Sequence, residues 1–309
     1  MNAIVGYTGF VGSNLFASGA YDRGYNTKNI EEAYGSGPDL LVYAGMRAAK
    51  YLANHDPERD RAAVVQAEKN LSLIHPRRLV LISTIDVFKN PEGVDETSPV
   101  CTDGLEPYGY NRRQLESWVR EHFPTALIIR LPGLFGINLK KNFIYDFMSE
   151  IPAMLSAAKL HELAGRDARI MNYYGAQQNG FYKAEVNDRD RETVKKLLRG
   201  IGFTALNFTD SRSIFQFYNL ARLQRDIETA LSADIHLLHP ATEPVSAAEI
   251  YKYLTGRDFV NELVGRPAHY DYRTIHAKTF GGRHGYICDK NEVLREIGEF
   301  VKQGGFSVR

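Results

Sequence analysis

Cysteine is scarce in this chain of 309 residues: only Cys101 and Cys288 occur. Two cysteines far apart in sequence make no disulfide framework, and without a CxxC spacing they suggest no metal site, so a reducing, cytoplasmic setting is expected. Charge of one sign is lacking as well. Lys plus Arg total 38 against 37 Asp plus Glu, a net charge of +1. No basic excess is left to neutralise phosphate backbones, so neither nucleic acid nor an anionic membrane is expected as a partner. No apolar run approaches the ~20 residues needed to span a bilayer. The opening MNAIVGYTGF has neither the basic region nor the long apolar stretch of a signal peptide. There is no internal repeat, no low-complexity segment and no HExxH among the nine histidines. His236 and His239, on or beside an apolar run, read as packing residues rather than metal ligands.

Aromatic residues, by contrast, are abundant, with 18 Tyr and 16 Phe. Most of them serve a core, and the length suits one large domain or two smaller ones. In the first half, short apolar runs alternate with amphipathic stretches. Ala3–Val5, Leu40–Ala44, Leu79–Ile82 and Ala126–Ile129 are unbroken runs bounded by polar, Gly or Pro residues. They have the form of strands buried on both faces of a parallel sheet. Residues 57–74 and 108–121 carry helical patterns between them. Strand and helix in turn predict an α/β fold, a doubly wound parallel sheet of the Rossmann type.

The second half is less regular. Residues 192–200 read as a helix and 213–219 (SIFQFYN) as a strand. A helix follows in which Leu220, Leu223, Ile227 and Leu231 share a face, and 235–240 reads as another buried strand. Ser246 with Glu249, and Asp289 with Glu292, have capping-box spacing. The charge run at 184–196 reads as a solvated helix start, and 300–309 as a fraying tail. The expected division is a dinucleotide-binding domain over 1–165 plus about 213–240, and a smaller mixed α/β substrate domain over 166–212 and 241–309.

Gly6, Gly9 and Gly12 form GxxGxxG directly after the first run and at the start of a helical stretch. Glycines there let the backbone turn tightly and approach a pyrophosphate. An acidic residue to hold an adenosine ribose would be expected about 20 positions on. The short second strand, GYNTKN, ends instead on Asn26 and Lys28, with Arg23 just before. Cationic residues there suit a 2′-phosphate, so NADP is favoured slightly over NAD. The span from Gly12 to Asp39 is also short, as though one strand–helix unit were missing.

GYTGFVGSNL at 6–15, STIDVF at 83–88 and PYGYNRRQLE at 107–116 together resemble the extended short-chain dehydrogenase/reductase superfamily, the nucleotide-sugar epimerases, dehydratases and reductases. The likeness covers about 1–140 and 213–250. It implies a cofactor loop of Gly6, Thr8, Gly9, Phe10, Val11 and Gly12. It also places Ala44, Gly45, Arg47, Ser83 and Leu131 around the nicotinamide dinucleotide. Thr84 matches the hydroxyl that binds the substrate oxygen, and Tyr108 the acid/base. At the position where the family has a lysine that binds the ribose and lowers the tyrosine pKa, this chain has Arg112. Arginine keeps the positive charge but cannot lose a proton, so the exchange is not conservative.

Dehydratases of the group carry Asp-Glu directly after the Thr. Here the pair is Ile85-Asp86, which disfavours full dehydratase chemistry and brings the motif nearest to the dTDP-4-dehydrorhamnose reductase type. Asp86 reads more readily as a solvated or capping residue than as a second acid/base. Asn142, Asn172, Tyr173, Arg212 and Gln216 are candidates for the nucleotide-sugar pocket, each weighed against plain surface or turn chemistry. The expectation is an NAD(P)-dependent oxidoreductase or epimerase acting on an activated sugar. The alternative is a non-catalytic NAD(P)-binding regulator or scaffold that keeps the fold. The family's usual assembly implies a homodimer through the helices at 57–74 and 108–121.

Overall fold

The computed structural model describes residues 1–177 and 180–304. Six parallel strands form its centre: β1 (Asn2–Val5), β2 (Arg23–Tyr25), β3 (Leu40–Tyr43), β4 (Leu79–Thr84), β5 (Leu127–Leu131) and β6 (Leu237–Leu238). Their order across the sheet is β6-β5-β4-β3-β1-β2. The helices in chain order are α1 (Phe10–Phe16), α2 (Lys50–His55), α3 (Pro57–Ile74), α4 (Pro107–His122), α5 (Phe143–Ser149), α6 (Ala157–Ala164), α7 (Arg191–Ile201), α8 (Leu223–Ser232), α9 (Ala247–Thr255) and α10 (Lys290–Lys302). No described helix is long and apolar enough to cross a membrane.

The unbroken apolar runs are explained by burial on both faces. Successive strand residues point to opposite sides. Ala3, Val5, Leu41, Tyr43, Leu79 and Leu81 meet Val64, Ala67, Leu71, Leu115 and Val119 of α3 and α4. Ile4, Val42, Val80, Leu127 and Ile129 face the other way, onto Leu15 of α1, Ile227 of α8 and Ile297 of α10. The chain passes to β2 on one side of β1 and returns as β3 on the other, so a topological switch point lies between β1 and β3. Between β2 and β3 only a 3₁₀ turn, Ile30–Ala33, intervenes. The short span after Gly12 therefore corresponds to a strand–helix unit that this sheet lacks.

Residues 151–203 build a separate body. Met154–Ser156, Phe181–Ala184 and Tyr174–Ala176 form a small antiparallel sheet. With α6 and α7 it encloses Leu155, Leu160, Leu163, Ile170, Val194 and Leu198. Residues of α9 and α10 instead join the main core through Ile250, Val293 and Ile297.

Some local expectations are corrected. SIFQFYN is not one strand: Ile214–Phe215 pairs antiparallel with Val245–Ser246, and Phe217–Asn219 runs parallel to Gly133–Phe135. The break is Gln216, whose buried amide donates to the carbonyls of Thr242 (2.6 Å) and Tyr272 (2.8 Å) and accepts from the Tyr272 N–H (2.9 Å). Ser246 and Glu249 do form the reciprocal capping box. Asp289 accepts from the Glu292 N–H at 2.9 Å, but the Glu292 carboxylate turns to Arg222 instead of closing a box. The expected tail begins later than 300, since α10 continues through Lys302, and 305–309 lie outside the described residues.

A buried polar seam fixes how α4 sits on the sheet. Glu116 is fully buried and Arg130 of β5 is 2 % exposed. The guanidinium donates through Nη2 at 2.7 Å and Nε at 3.0 Å to the two carboxylate oxygens. Ser83 of β4 gives its hydroxyl to the same carboxylate at 2.6 Å. On the far side Arg130 approaches Nε2 of His239 at 3.4 Å, whose Nδ1 meets the Arg273 carbonyl at 3.2 Å. Burial, with Arg130 adding to it, lowers the His239 pKa to about 3, so His239 serves as a neutral packing partner. Among the described residues no cluster has the make-up of a metal site.

Removing one partner of a buried charge pair strands the other without solvent. Glu116→Ala is accordingly expected to destabilise the fold by about 3–5 kcal/mol, read as a lowered urea midpoint with unchanged slope.

Candidate active site

The carboxyl ends of β1, β3 and β4 converge where ligands bind in open α/β sheets. After β1, Gly6 takes φ +88°, and a Cβ on it would lie 2.5 Å from the Ala44 carbonyl oxygen and 2.9 Å from Cα of Gly45. A Cβ on Gly12 would lie 2.1 Å from the Gly6 oxygen. These two glycines therefore let the loop turn tightly, close on the β3 loop and seat α1 against β1. The third, Gly9, is exposed beside Thr8, and Phe10 and Val11 pack partly into the core. The cradle fits the backbone approach that a pyrophosphate requires.

At the adenosine end of that cradle no carboxylate stands on β2. The Asn26 side chain accepts from the Lys28 N–H at 2.8 Å, and Asn29 accepts from the Asn26 N–H at 2.8 Å. Both amides close the turn, and Lys28 is exposed. Asn14, a residue the motif reading passed over, donates to the Ile137 carbonyl and accepts from its N–H, at 2.8 and 3.0 Å. It ties the loop after residue 135 to the cofactor-type loop.

The Thr84 and Tyr108 hydroxyls come together for three local reasons. Thr84 ends β4 and caps the 3₁₀ turn Ile85–Val87, accepting from the Asp86 N–H at 3.1 Å. Gly109 lets α4 lie on that turn: a Cβ there would be 2.1 Å from the Asp86 carbonyl oxygen. Asn54 of α2 accepts from the Tyr108 N–H at 2.9 Å, satisfying an otherwise orphaned donor at the start of α4. Tyr108 is buried, and Thr84 lies near enough to its phenol to act against the rise in pKa that burial causes.

Arg112 lies face-on over the Tyr108 ring, with Cζ 4.6 Å from the centroid. Its nitrogens are committed. Nη1 and Nη2 reach the two Asp60 oxygens of α3 at 3.0 Å each, and Nη2 also donates to the Arg47 carbonyl at 2.8 Å. Asn111 adds a contact to Asp60 at 2.9 Å. Arg112 thus anchors α4 to α3 and shapes the Arg47 loop. Its charge does not win at the phenol. Burial raises the Tyr108 pKa, with Asp86 adding to it, against lowering by Arg112, Thr84 and Lys50.

The structure adds Lys50, which sequence reasoning missed. Its ammonium lies 3.1 Å from the Asp86 carboxylate. Burial disfavours the charged lysine, but Asp86 and then Tyr270 outweigh it, and the Lys50 pKa is raised. Asp86 therefore stands in this polar group rather than free in solvent. Lys50 had no motif; only its place four residues before Asn54 puts both on one face of α2.

The remaining candidates lie elsewhere or are occupied. The Ser83 hydroxyl turns inward to Glu116, and Leu131 is buried at the end of β5. Asn142 caps α5, accepting from the Tyr145 N–H at 3.1 Å and donating to the Leu134 carbonyl at 2.8 Å. Gln216 is the core clamp described above. Arg212 is bound by Asp210 and Glu262, which ties its loop to 262–263. Asn172 is exposed on the 3₁₀ turn Ala168–Tyr173 of the separate body, and Tyr173 packs partly on that body's core.

The sheet order and the glycine turn after β1 make this a Rossmann-like α/β fold, the fold of solved short-chain dehydrogenase/reductase-type structures. Solved structures match it over nearly its whole length. The enzyme WbmG of Bordetella bronchiseptica, in complex with NAD and UDP, is 14% identical with a TM-score of 0.65, covering 100% of this chain and 96% of its own. The UDP-N-acetylglucosamine 4-epimerase of Methanobrevibacter ruminantium M1, in complex with UDP-N-acetylmuramic acid, is 12% identical with a TM-score of 0.64 (97% and 96% covered). The dTDP-4-dehydrorhamnose reductase of Bacillus anthracis, in complex with NADP, is 16% identical with a TM-score of 0.62 (98% and 97% covered). No family model matches the sequence, and no curated protein matches it either.

Gly109→Ala is expected to push α4 off the Asp86 turn. The overpacking costs about 1–3 kcal/mol, seen as a lower thermal midpoint. Whatever activity depends on Tyr108 should fall further than that loss of folded protein explains.

Proposed function

We propose that the protein is an NAD(P)-dependent oxidoreductase or epimerase of a nucleotide-linked sugar, with Tyr108 acting as proton donor to a sugar carbonyl. What supports this reading is the buried Tyr108 at the start of α4, whose helix packs through Gly109 on the turn that Thr84 caps after β4. The glycine cradle suits a dinucleotide, which when bound in reduced form supplies a hydride to the carbonyl carbon. The chain's own part is proton chemistry. Thr84 holds the substrate oxygen, and Tyr108 passes its phenolic proton to that oxygen. Burial keeps the phenol protonated through neutral pH. A tyrosine in that state is an acid rather than a base, which supports carbonyl reduction as the favoured sense. Loss of this donor with rising pH belongs to the alkaline range, above the ordinary tyrosine pKa of about 10.

The UDP bound to WbmG and the UDP-N-acetylmuramic acid bound to the 4-epimerase support a nucleotide sugar as substrate. Lys28, exposed on a β2 end without a carboxylate, supports NADP over NAD. The body at 151–203, with the segments that follow, is the proposed substrate-side domain. A second reading rests on Arg112, whose ion pair with Asp60 withdraws it from the ribose-binding role of the family lysine. On that reading the chain binds NAD(P) as a regulator or scaffold without turnover.

The test begins with fluorescence titrations of NADP(H) and NAD(H), then follows reduced-nicotinamide absorbance and products over a panel of nucleotide sugars. Tyr108→Phe should lower turnover by about 10²–10⁴-fold while cofactor affinity holds. Binding without turnover, the same in Tyr108→Phe, would leave the scaffold reading. No binding of either cofactor would remove both. The homodimer is proposed through α3 and α4, where Val65 and Tyr110 are exposed. Val65→Glu with Tyr110→Glu should then halve the mass measured by sedimentation. A wild-type monomer would refute it.

A further inference from the structure

Arg112 is a fixed cation. It is 3 % exposed, held by two bonds to Asp60 and one to the Arg47 carbonyl. An arginine so placed can neither move to a ligand nor release a proton. Lys50 is its opposite. It is half exposed, its side chain at 47 %, and its ion pair is the single 3.1 Å contact to Asp86. An ammonium has three donors, so two remain.

Its location is set by packing. Lys50 and Asn54 share one face of α2, and Asn54 is bonded to the Tyr108 N–H. Asp86 belongs to the turn capped by Thr84 and pressed against Gly109, the next residue after Tyr108. The pair is therefore held against the start of α4, close enough for both charges to act on the phenol. The charged and titratable groups facing Tyr108 are Arg112 on its own helix, Asp86 after β4 and Lys50 on α2. Tyr270, from the returning C-terminal segment, faces Lys50 and Asp86. Asp60 on α3 acts through Arg112.

We propose that Lys50 and Asp86 form an adjustable charge pair that sets the proton-giving strength of Tyr108, with Lys50 the positioning residue whose mobile positive charge adds to that of the fixed Arg112. Lys50 favours the tyrosinate left when the phenolic proton passes to the substrate oxygen. Asp86 opposes it. A ligand that draws the ammonium off Asp86, or a substrate oxygen bonded to it, shifts this balance at the moment of proton transfer. The inference rests on the functional reading for its purpose, but its physical core is measurable without turnover.

The experiment is a pH titration of protein labelled with 13C at tyrosine Cζ, the Tyr108 signal being the one lost in Tyr108→Phe. Lys50→Met should move the Tyr108 midpoint up by about one pH unit and Asp86→Asn down by a similar amount, the scale of a nearby single charge. Lys50→Arg should restore the wild-type position. Where the wild-type midpoint lies beyond the stable pH range, Asp86→Asn brings it toward that range, and Lys50→Met in that background must move it back. In the oxidising direction the same variants should shift the rise of kcat with pH in the same opposite senses. A salt bridge that serves structure alone would weaken folding in both variants and move neither midpoint. That result, or shifts of the same sign, overturns the proposal. Loss of cofactor binding with the opposite shifts intact would instead remove the functional reading and leave the charge pair standing.

Discussion

Glu116 and Arg130 form the contact on which the arrangement at the sheet's edge depends. Both are buried, so each charge is tolerable only because the other is in place, with Ser83 and His239 completing the hydrogen bonds. The seam joins α4 to β4 and β5 at one register. Tyr108 begins the same helix two turns earlier, and Thr84 follows Ser83 in the same strand. Locking Glu116 to Ser83 and Arg130 therefore fixes the start of α4 near the end of β4 as a consequence. Gly109 then permits contact where any side chain would collide with the Asp86 carbonyl. Precise placement comes from rigid elements rather than loops.

The charges around Tyr108 follow a second constraint. Burial alone disfavours a phenolate, and only nearby cations oppose that. Arg112 is near, but Asp60 satisfies it in a bidentate pair, and such a fork is geometrically demanding. The helix that carries the tyrosine is thereby bolted to α3, and the cation becomes part of the scaffold. The Lys50–Asp86 pair, by contrast, keeps a half-exposed ammonium. Arg112 and Lys50 thus differ in their bonding, the first buried on Asp60 and a backbone carbonyl, the second half exposed beside Asp86.

Much of the architecture was legible in the chain. The four apolar runs of the first half became strands, and 57–74 became α3 to the residue, because an N-terminal Pro and the Asp56 cap mark its start. The glycine spacing marked the tight turn after β1, STIDVF the end of β4 and PYGYNRRQLE the start of α4. Periodicity failed at SIFQFYN, where a buried glutamine replaces backbone partners and splits the run between two sheets. Composition failed for Asn142, Arg212 and Gln216, since polar residues that hold turns and cores have the same identities as those that bind ligands.

The strand–helix alternation and the glycine turn after β1 are encoded locally, by period and turn geometry, and so could be read from the chain alone. Where the cations around Tyr108 lie, and what each is bonded to, depends on the packing. Asp60 sits in an ordinary-looking charged run and Lys50 in no motif at all. Their partners, Arg112 and Asp86, are 52 and 36 residues away. Electrostatic interaction depends on distance and burial in space, and neither is written along the chain.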